Sequence, residues 1–195
     1  MRTLLLVRHA ATAATRTSAF PAGEELDEHG FEQAAALAWA LPRSAEAITS
    51  PARRCRQTAE AAGLAARPDD EIDECDFGSW AGRSLAEVNE RDPEAVRAWM
   101  LDPETSPHGG ESLAVFSTRI ARWLETQAAL EGRAVAITHG EVVKAAVVHA
   151  LSAPLLAFWR VDATPLGITE LHAHDGRWTV TRVNASTATK VASRA

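Results

Sequence analysis

The sequence lacks the long apolar run that a membrane-spanning helix needs, since no stretch approaches roughly 18 apolar residues. The apolar run at residues 4–7 is too short for a secretory signal and is followed by no cleavage pattern. Cysteine is scarce as well, and Cys55 and Cys75 are predicted to be free thiols. We therefore expect a cytoplasmic protein with no membrane partner.

An excess of positive charge is also missing, because 26 acidic residues outnumber 20 lysines and arginines. The formal net charge of −6 argues against a broad nucleic-acid surface, which needs clustered basic residues. A small anionic ligand remains compatible with this balance, since a few convergent arginines set the field inside a pocket. We predict no nucleic-acid partner.

Linkers, internal repeats and low-complexity blocks are absent from the 195 residues, of which 46% are hydrophobic. This length and composition predict one domain, residues 1–195, with a sizeable core. Small and polar residues follow position 184, so we expect the tail over residues 185–195 to be frayed.

Apolar runs of strand character alternate with helical patterns through residue 151, which is typical of a largely parallel sheet between helices. The pattern predicts strands at 2–8, 45–49, 71–74, 134–138, 167–172 and 178–183. It predicts helices at 31–41, 51–62, 111–130 and 140–151, and two more within 84–101, broken at Asp92-Pro93. We expect an α/β fold, a three-layer α/β/α sandwich whose mostly parallel sheet carries an antiparallel edge strand.

Two of the apolar strands end in histidine, at His9 and His139, and Arg8 precedes the first of them. The helix predicted to begin at Ser50-Pro51 carries Arg54 in its first turn. Carboxyl ends of parallel strands and helix N-termini meet where such sheets bind ligands, and Gly140 opens the helix after His139. These groups together predict a pocket for a doubly charged oxyanion.

Six segments in order resemble the histidine phosphatase superfamily, the branch that includes cofactor-dependent phosphoglycerate mutase and small phosphomonoesterases. They span nearly the whole chain, and the ordered set is far more specific than any one segment. The segments are Leu6-Val7-Arg8-His9, Leu26-x-x-x-Gly30-x-x-Gln33-Ala34, Ser50-Pro51-x-x-Arg54-x-x-Gln57-Thr58-Ala59, Glu74-x-x-Phe77-Gly78-x-Trp80-x-Gly82, Gly109-Gly110-Glu111-Ser112 and Thr138-His139-Gly140.

The resemblance implies the phosphoglycerate mutase-like fold and a metal-independent phosphomonoesterase that acts on a small phosphorylated metabolite. It implies that His9 is the nucleophile and forms a phosphohistidine. Arg8, Arg54 and His139 would hold the phosphoryl oxygens, so that neither a metal nor another cofactor is needed. Glu74 would protonate the leaving oxygen and then activate the hydrolytic water.

The loop behind the implied nucleophile departs from the family. Glycine and glutamate usually follow the histidine, with tryptophan and asparagine a few residues on. This sequence has Ala10, Ala11, Ala14 and Thr15 at those places. The missing asparagine weakens one phosphate contact, which Thr15 or Arg16 is expected to supply.

Further residues are candidates for substrate binding, each beside a simpler explanation. Trp80 and Phe20 either grip a substrate or pack in the core. Glu111 either lines the pocket or complements a helix dipole at its first turn. Gly140 opens a helix whose backbone N–H groups can contact an anion. The particular phosphomonoester cannot be derived from these residues.

Two alternatives stay open at this point. A phosphoglycerate-type phosphomutase shares every catalytic residue, although such enzymes carry extra segments for which the chain has little room between Glu74 and Gly110. A phospholigand- or protein-binding module with a vestigial site is the non-enzymatic alternative. The oligomeric state is also open, since an edge strand in the C-terminal part can pair into a homodimer.

Overall fold

The computed structural model describes residues 1–186, which form a single mixed sheet with helices on both faces. Strands in this range are Arg2–Arg8 (β1), Glu46–Thr49 (β2), Arg67–Pro68 (β3), Gly132–Thr138 (β4), Ile168–His174 (β5) and Arg177–Ala185 (β6). Helices are Ala13–Thr17 (α1), Glu28–Ala35 (α2), Arg53–Ala61 (α3), Leu85–Arg91 (α4), Pro93–Leu101 (α5), Leu113–Ala128 (α6) and Gly140–Ala150 (α7).

The strand order is β3-β2-β4-β1-β5-β6, with parallel pairing from β3 through β1. β5 runs antiparallel to β1, and β6 runs antiparallel to β5. The predicted fold class is confirmed, although the antiparallel part is a hairpin of two strands. Only Asp175 and Gly176, both at positive φ, join β5 to β6, and so short a connection permits only antiparallel pairing.

Both faces of the central strands are buried, which explains their nearly continuous apolar runs. Leu4 and Leu6 of β1 pack with Phe116 and Ile120 of α6 on one face. Val7 belongs to a second cluster on the opposite face, which includes core residues of α3. The sandwich therefore has α6 and α7 on one side and α2 and α3 on the other.

Several predicted boundaries were wrong near the sheet edge. α3 begins at Arg53 with Ala52 as its N-cap, because the Ser50 hydroxyl accepts from the N–H of Ala52, one residue before the helix, and also contacts His139. The strand expected at 71–74 is instead a single 3-10 turn, Asp70–Ile72, whose Glu71 N–H donates to the Asp69 side chain.

Two further boundaries moved because a polar side chain caps the helix at another position. α2 begins before residue 31, since Asp27 accepts from the Gly30 N–H at 2.7 Å. It also ends early, in a 3-10 turn at Ala36–Trp39. α6 begins after Ser112, whose hydroxyl accepts from the Val115 N–H, so Glu111 lies outside the helix.

The C-terminal prediction is only partly covered by the described residues. Ala185 is the last residue of β6, so the chain is ordered into a strand at the point where fraying was expected to begin. Residues 187–195 lie outside the described part of the chain. No helix within residues 1–186 is long and apolar enough to cross a membrane.

Candidate active site

The carboxyl ends of β1, β4 and β2 lie side by side and bring their following residues together. The His9 N–H donates to the Thr138 carbonyl at 2.8 Å, and the Ser50 N–H donates to the Ile137 carbonyl at 2.9 Å. These ladder bonds place His9 and His139 next to each other, with ring centroids 5.4 Å apart. Both side chains are buried, His9 at 3% exposure and His139 at 0%.

Hydrogen bonds at both ring nitrogens define the protonation of His9. Its Nδ1 lies 2.7 Å from the Ala10 carbonyl oxygen, which can only accept, so Nδ1 carries the proton. Its Nε2 accepts from the Arg54 Nε–H at 3.2 Å. Burial lowers the pKa of His9 well below its usual value, and the positive charges of His139 and Arg54 lower it further. His9 is therefore a neutral imidazole with a lone pair on Nε2.

Arg54 is the one arginine of its cluster that points inward. Its side chain is 3% exposed, and its Nη2 donates to the Glu74 carboxylate at 3.3 Å. Arg53 is exposed and pairs with Glu25 at 2.6 Å, and Arg56 is exposed as well. The prediction that helical geometry turns only one of the three inward is confirmed.

His139 is surrounded by acceptors. Its Nε2 lies 2.8 Å from the Ser50 hydroxyl and 3.3 Å from the Asp73 carboxylate, and its Nδ1 lies 3.1 Å from the Glu74 carboxylate. Burial alone would lower the pKa of His139, but the Cys55 sulfur, Glu74 and Asp73 raise it well above the usual value. Carboxylates at both nitrogens favour the imidazolium, so we assign both ring protons to these acceptors.

Arg54 also approaches His139, with Nη2 3.0 Å from Nδ1. That contact is a hydrogen bond only if Nδ1 lacks a proton, because the guanidinium has no acceptor. The carboxylates favour the cationic ring more strongly than one such bond favours the neutral ring. The Arg54 and His139 cations therefore lie close together, held by Glu74 between them.

The cations around Glu74 stabilise its ionised form. Burial raises the pKa of its carboxyl, but the positive charges of His139 and Arg54 hold the pKa far below the usual range. The neighbouring Asp73 shows the same balance, since contacts with His139, the Glu74 N–H and Ser50 overcome burial and lower its pKa to about 2. The cations Arg54 and His139 and the carboxylate of Glu74 therefore lie together beside the His9 ring.

Arg119 of α6 holds the loop that carries Glu74. Its Nη1 donates to the carbonyls of Glu71 and Asp73 at 2.9 and 3.1 Å, and its Nη2 donates to the Glu74 carbonyl at 3.2 Å. Glu111 pairs with Arg119 at 2.7 Å and does not line the pocket. The expectation that Glu111 lines the pocket is corrected, because its carboxylate is turned toward Arg119.

Arg8 enters the pocket from the end of β1. Its Nη1 donates to the Ala163 carbonyl at 2.6 Å, and its buried Nε has no hydrogen-bond partner among residues 1–186. A Cβ on Gly140 would lie only 3.2 Å from that Nε, so glycine lets the guanidinium lie against the start of α7. No side chain caps α7, and its N-terminal N–H groups therefore add a positive dipole end beside Arg8.

A cavity of about 420 Å³ opens beside His9, Arg54 and Glu74 and is also lined by Arg8. Thr15 lines this cavity, but its hydroxyl accepts from the Thr12 N–H and donates to the Thr12 carbonyl. Its side chain thereby completes the capping box of α1.

Two residues expected to bind substrate lie away from the cavity. Arg16 is half-exposed and pairs with Asp27 at 2.7 Å, so the structure does not bring it to the site. Trp80 is buried behind the cavity, 5.3 Å from the Phe20 ring and 5.5 Å from the Trp99 ring. Of the two aromatic candidates, only Phe20 lines the cavity.

Sequence reasoning missed several residues of the site. The sequence indicates Ser50 as a helix cap, and no motif marks Asp73 although it precedes Glu74. Glu24 and Glu141 line the cavity without any motif to mark them, and Lys144 lines it as well. A signal for Lys144 did exist, because a residue four positions after Gly140 lies on the same helix face.

Among the described residues, His9, Glu74 and His139 offer ligand atoms within 4.8 Å of one another, which resembles a metal site. Arg54 contacts all three side chains, however, and a divalent cation there would lie against its guanidinium. Arg54 and Arg8 line the cavity, and the cationic His139 ring lies next to Arg54, so positive charge dominates this side of the site. The donor set therefore fits an oxyanion and not a metal ion.

We expect the substitution Asp73→Asn to lower the pKa of His139, because it removes one of the two carboxylates that stabilise the imidazolium. NMR titration of the ring resonances would measure this, with the deprotonation midpoint moving to lower pH. Asp70→Asn is the matched control, since Asp70 is exposed in the same turn. An unmoved midpoint in Asp73→Asn would contradict this electrostatic account of His139.

The fold and this cluster define an α/β protein with a histidine-centred oxyanion site at the carboxyl edge of its sheet. The chain belongs to the histidine phosphatase superfamily, whose branch 1 model matches residues 4–186. It is 34% identical over 194 residues to a bifunctional protein of Mycobacterium tuberculosis, covering 93% of this chain. The chain spans about half the length of that curated relative, 53%.

Two other relatives match over nearly their full length. Phosphoserine phosphatase 1 of Hydrogenobacter thermophilus is 30% identical over 192 residues, which cover 93% of this chain and 91% of the relative. The solved structure of a mycobacterial glucosyl-3-phosphoglycerate phosphatase complexed with VO3 is 29% identical, with a TM-score of 0.84. That superposition covers 95% of this chain and 100% of the other.

Proposed function

We propose that this protein is a metal-independent phosphomonoesterase that hydrolyses a small phosphorylated metabolite through a phosphohistidine on His9. The observation that carries the proposal is the state of His9, a neutral ring whose Nε2 lone pair faces Arg54. A buried neutral nucleophile beside fixed cations is what attack on a phosphoryl group requires. Two relatives named as phosphatases, of phosphoserine and of glucosyl-3-phosphoglycerate, support the same reaction class.

In the first step, Nε2 of His9 attacks phosphorus, and the bond from phosphorus to the ester oxygen breaks. Arg8, Arg54 and His139 stabilise the charge on the three non-bridging oxygens. The Ala10 carbonyl, 2.7 Å from Nδ1, stabilises the positive charge that develops on the His9 ring. The ester oxygen leaves with a proton from Glu74.

Glu74 must hold a proton for that step, although Arg54 and His139 keep its pKa low. A phosphoryl dianion placed among the same cations offsets their charge. Bound substrate therefore raises the pKa of Glu74 toward the range in which the carboxyl can carry a proton. The cations that bind the phosphoryl group thus couple substrate binding to protonation of the acid.

In the second step, water attacks the phosphohistidine from the side vacated by the alcohol. Glu74, now a carboxylate, takes a proton from that water, and the nitrogen–phosphorus bond breaks. Inorganic phosphate leaves, and His9 regains its neutral ring with the proton on Nδ1. Each group ends the cycle in the state in which it began.

The experiment that tests the proposal measures phosphate release from a panel of phosphomonoesters in buffer containing EDTA. We expect saturable turnover with no added divalent metal. Loss of activity in EDTA would contradict the metal-independent mechanism. Turnover that needs a bisphosphate primer, with negligible hydrolysis, would identify a mutase, and no turnover with no phosphoenzyme would identify a binding module.

The remaining expectations about the protein stay predictions. Both cysteines are buried free thiols, in keeping with a reducing cytoplasm. β6 lies at the open edge of the sheet and offers the strand for a homodimer. We also retain one domain and no nucleic-acid partner.

A further inference from the structure

The cavity beside His9 is larger than the phosphoryl site alone and has a second region with different chemistry. Beyond the charged cluster, six of its lining residues are aromatic. They are Phe20, Phe77, Trp99, Phe116, Phe158 and Trp159. Because one cavity of about 420 Å³ joins both regions, the alcohol part of a bound ester can reach the exposed faces and edges of these rings.

The rings meet edge to face and hold one another in place. Trp99 and Trp159 have centroids 4.6 Å apart at an interplanar angle of 71°, and Phe158 and Trp159 lie 5.0 Å apart at 87°. Phe20 contacts Trp99 in the same way at 5.7 Å. A wall of fixed rings at steep angles presents both edges and faces to a further ring.

The charged side chains of this region are engaged with partners, whereas the buried Trp159 Nε1 has no hydrogen-bond partner among residues 1–186. Lys144 pairs with Glu141 at 3.6 Å and lies over the Phe158 ring. Glu24 accepts from the Ala22 N–H at 2.9 Å and lies 3.8 Å from Arg54. A leaving group rich in hydroxyls would therefore lose its hydrogen bonds to water and find few free partners in this region. An aromatic group has no such hydrogen bonds to lose.

We propose that the substrate is a phosphomonoester whose alcohol carries a flat aromatic ring, bound against Phe20, Trp99 and Trp159. This inference rests on the proposed function. This class differs from phosphoserine and from glucosyl-3-phosphoglycerate, the substrates for which two relatives are named. The Lys144–Glu141 pair suits an amino acid, because its charges complement a carboxylate and an ammonium group. Phosphoserine is therefore the competing substrate to test.

The test compares 2-phenylethyl phosphate, ethyl phosphate and phosphoserine. All three release a primary alcohol, so intrinsic reactivity does not favour the aromatic ester. We expect kcat/KM for 2-phenylethyl phosphate to exceed both others by about tenfold or more, the scale of added apolar contacts in a pocket. An equal or higher kcat/KM for phosphoserine would overturn the inference and leave the proposed function standing, whereas no hydrolysis of any ester would overturn the proposed function.

Substitutions of tryptophan test whether the aromatic wall causes the preference for an aromatic ester. Trp159→Ala should lower the ratio of kcat/KM for 2-phenylethyl phosphate over ethyl phosphate about tenfold, and Trp159→Phe should retain most of it. Trp39→Ala is the matched control, because Trp39 is 85% exposed and lies outside this cavity. An unchanged ratio in folded Trp159→Ala would contradict the assignment.

A measurement without a variant covers the case in which Trp159→Ala does not fold. Inhibition of the unaltered protein by 3-phenylpropylphosphonate and by propylphosphonate isolates the contribution of the ring to binding. The phenyl compound should inhibit about tenfold more strongly. Equal inhibition would overturn the inference.

Discussion

Replacing His9 with alanine is expected to abolish turnover, with kcat falling on the order of 10⁴-fold or more, as for loss of other covalent nucleophiles. The substitution removes the Nε2 atom that we propose attacks phosphorus, and no other histidine among residues 1–186 lines the cavity. His139 cannot substitute, because Ser50, Asp73 and Glu74 surround its ring nitrogens and favour its cationic form. The measurement is steady-state phosphate release, together with alkali-quenched labelling by a ³²P-phosphomonoester.

Labelling separates the nucleophile from a residue that only supports the fold. The unaltered protein should show an acid-labile, base-stable phosphoenzyme, and His9→Ala should show none. His29→Ala is the control, since His29 is an exposed histidine on α2. A labelled His9→Ala protein, or one that retains activity, would show that the covalent mechanism is wrong.

The part of the site that could be predicted from sequence is the part attached to regular elements. His9 and His139 follow apolar strands, and parallel strands end at one edge of the sheet, so their proximity follows from the pattern. Arg54 was separable from Arg53 and Arg56 by helical geometry alone. In each case the direction of the side chain is a property of the element that carries it.

The residues whose positions were wrong lie on loops or are turned by a distant partner. Arg16 was expected at the phosphate, but Asp27 lies 2.7 Å away and holds it outside. Glu111 is turned toward Arg119, a residue of α6 to which no role had been given. Such pairings depend on how separate elements pack, and spacing along the chain carries no signal for them.

The protonation states of the two histidines could not be predicted from the sequence either. Burial acts on His9 and His139 alike, yet their pKa values move in opposite directions. The difference comes from neighbours, since His9 faces cations and His139 faces carboxylates. One of those carboxylates belongs to Asp73, which the motif does not single out. The different protonation states of the two histidines therefore result from the packing of the folded chain around them.

Glu74→Gln is the second substitution with a large expected effect, and its size depends on the leaving group. With an aliphatic monoester, turnover should fall by about 10²- to 10⁴-fold, the usual contribution of a general acid. With 4-nitrophenyl phosphate, whose leaving group departs without a proton, the phosphorylation step should survive. Rapid-quench kinetics should then show a burst of nitrophenol near one per site, followed by slow release of phosphate.

Accumulation of phosphoenzyme in that burst follows from the second role of Glu74, because its amide replacement cannot accept a proton from water. Glu71→Gln is the control, an exposed acid three residues away. Slowing of both esters by the same factor, with no burst, would contradict the acid–base assignment.

Binding of inorganic phosphate separates lost chemistry from lost structure in the same variant. Glu74 is an anion 3.3 Å from Arg54 and 3.1 Å from His139, so it competes with phosphate for those cations. Removing its charge should therefore tighten phosphate binding while turnover falls, whereas a damaged site would lose both. Weaker phosphate binding in Glu74→Gln would mean that the carboxylate organises the cations, and the proton-transfer role would then need another residue.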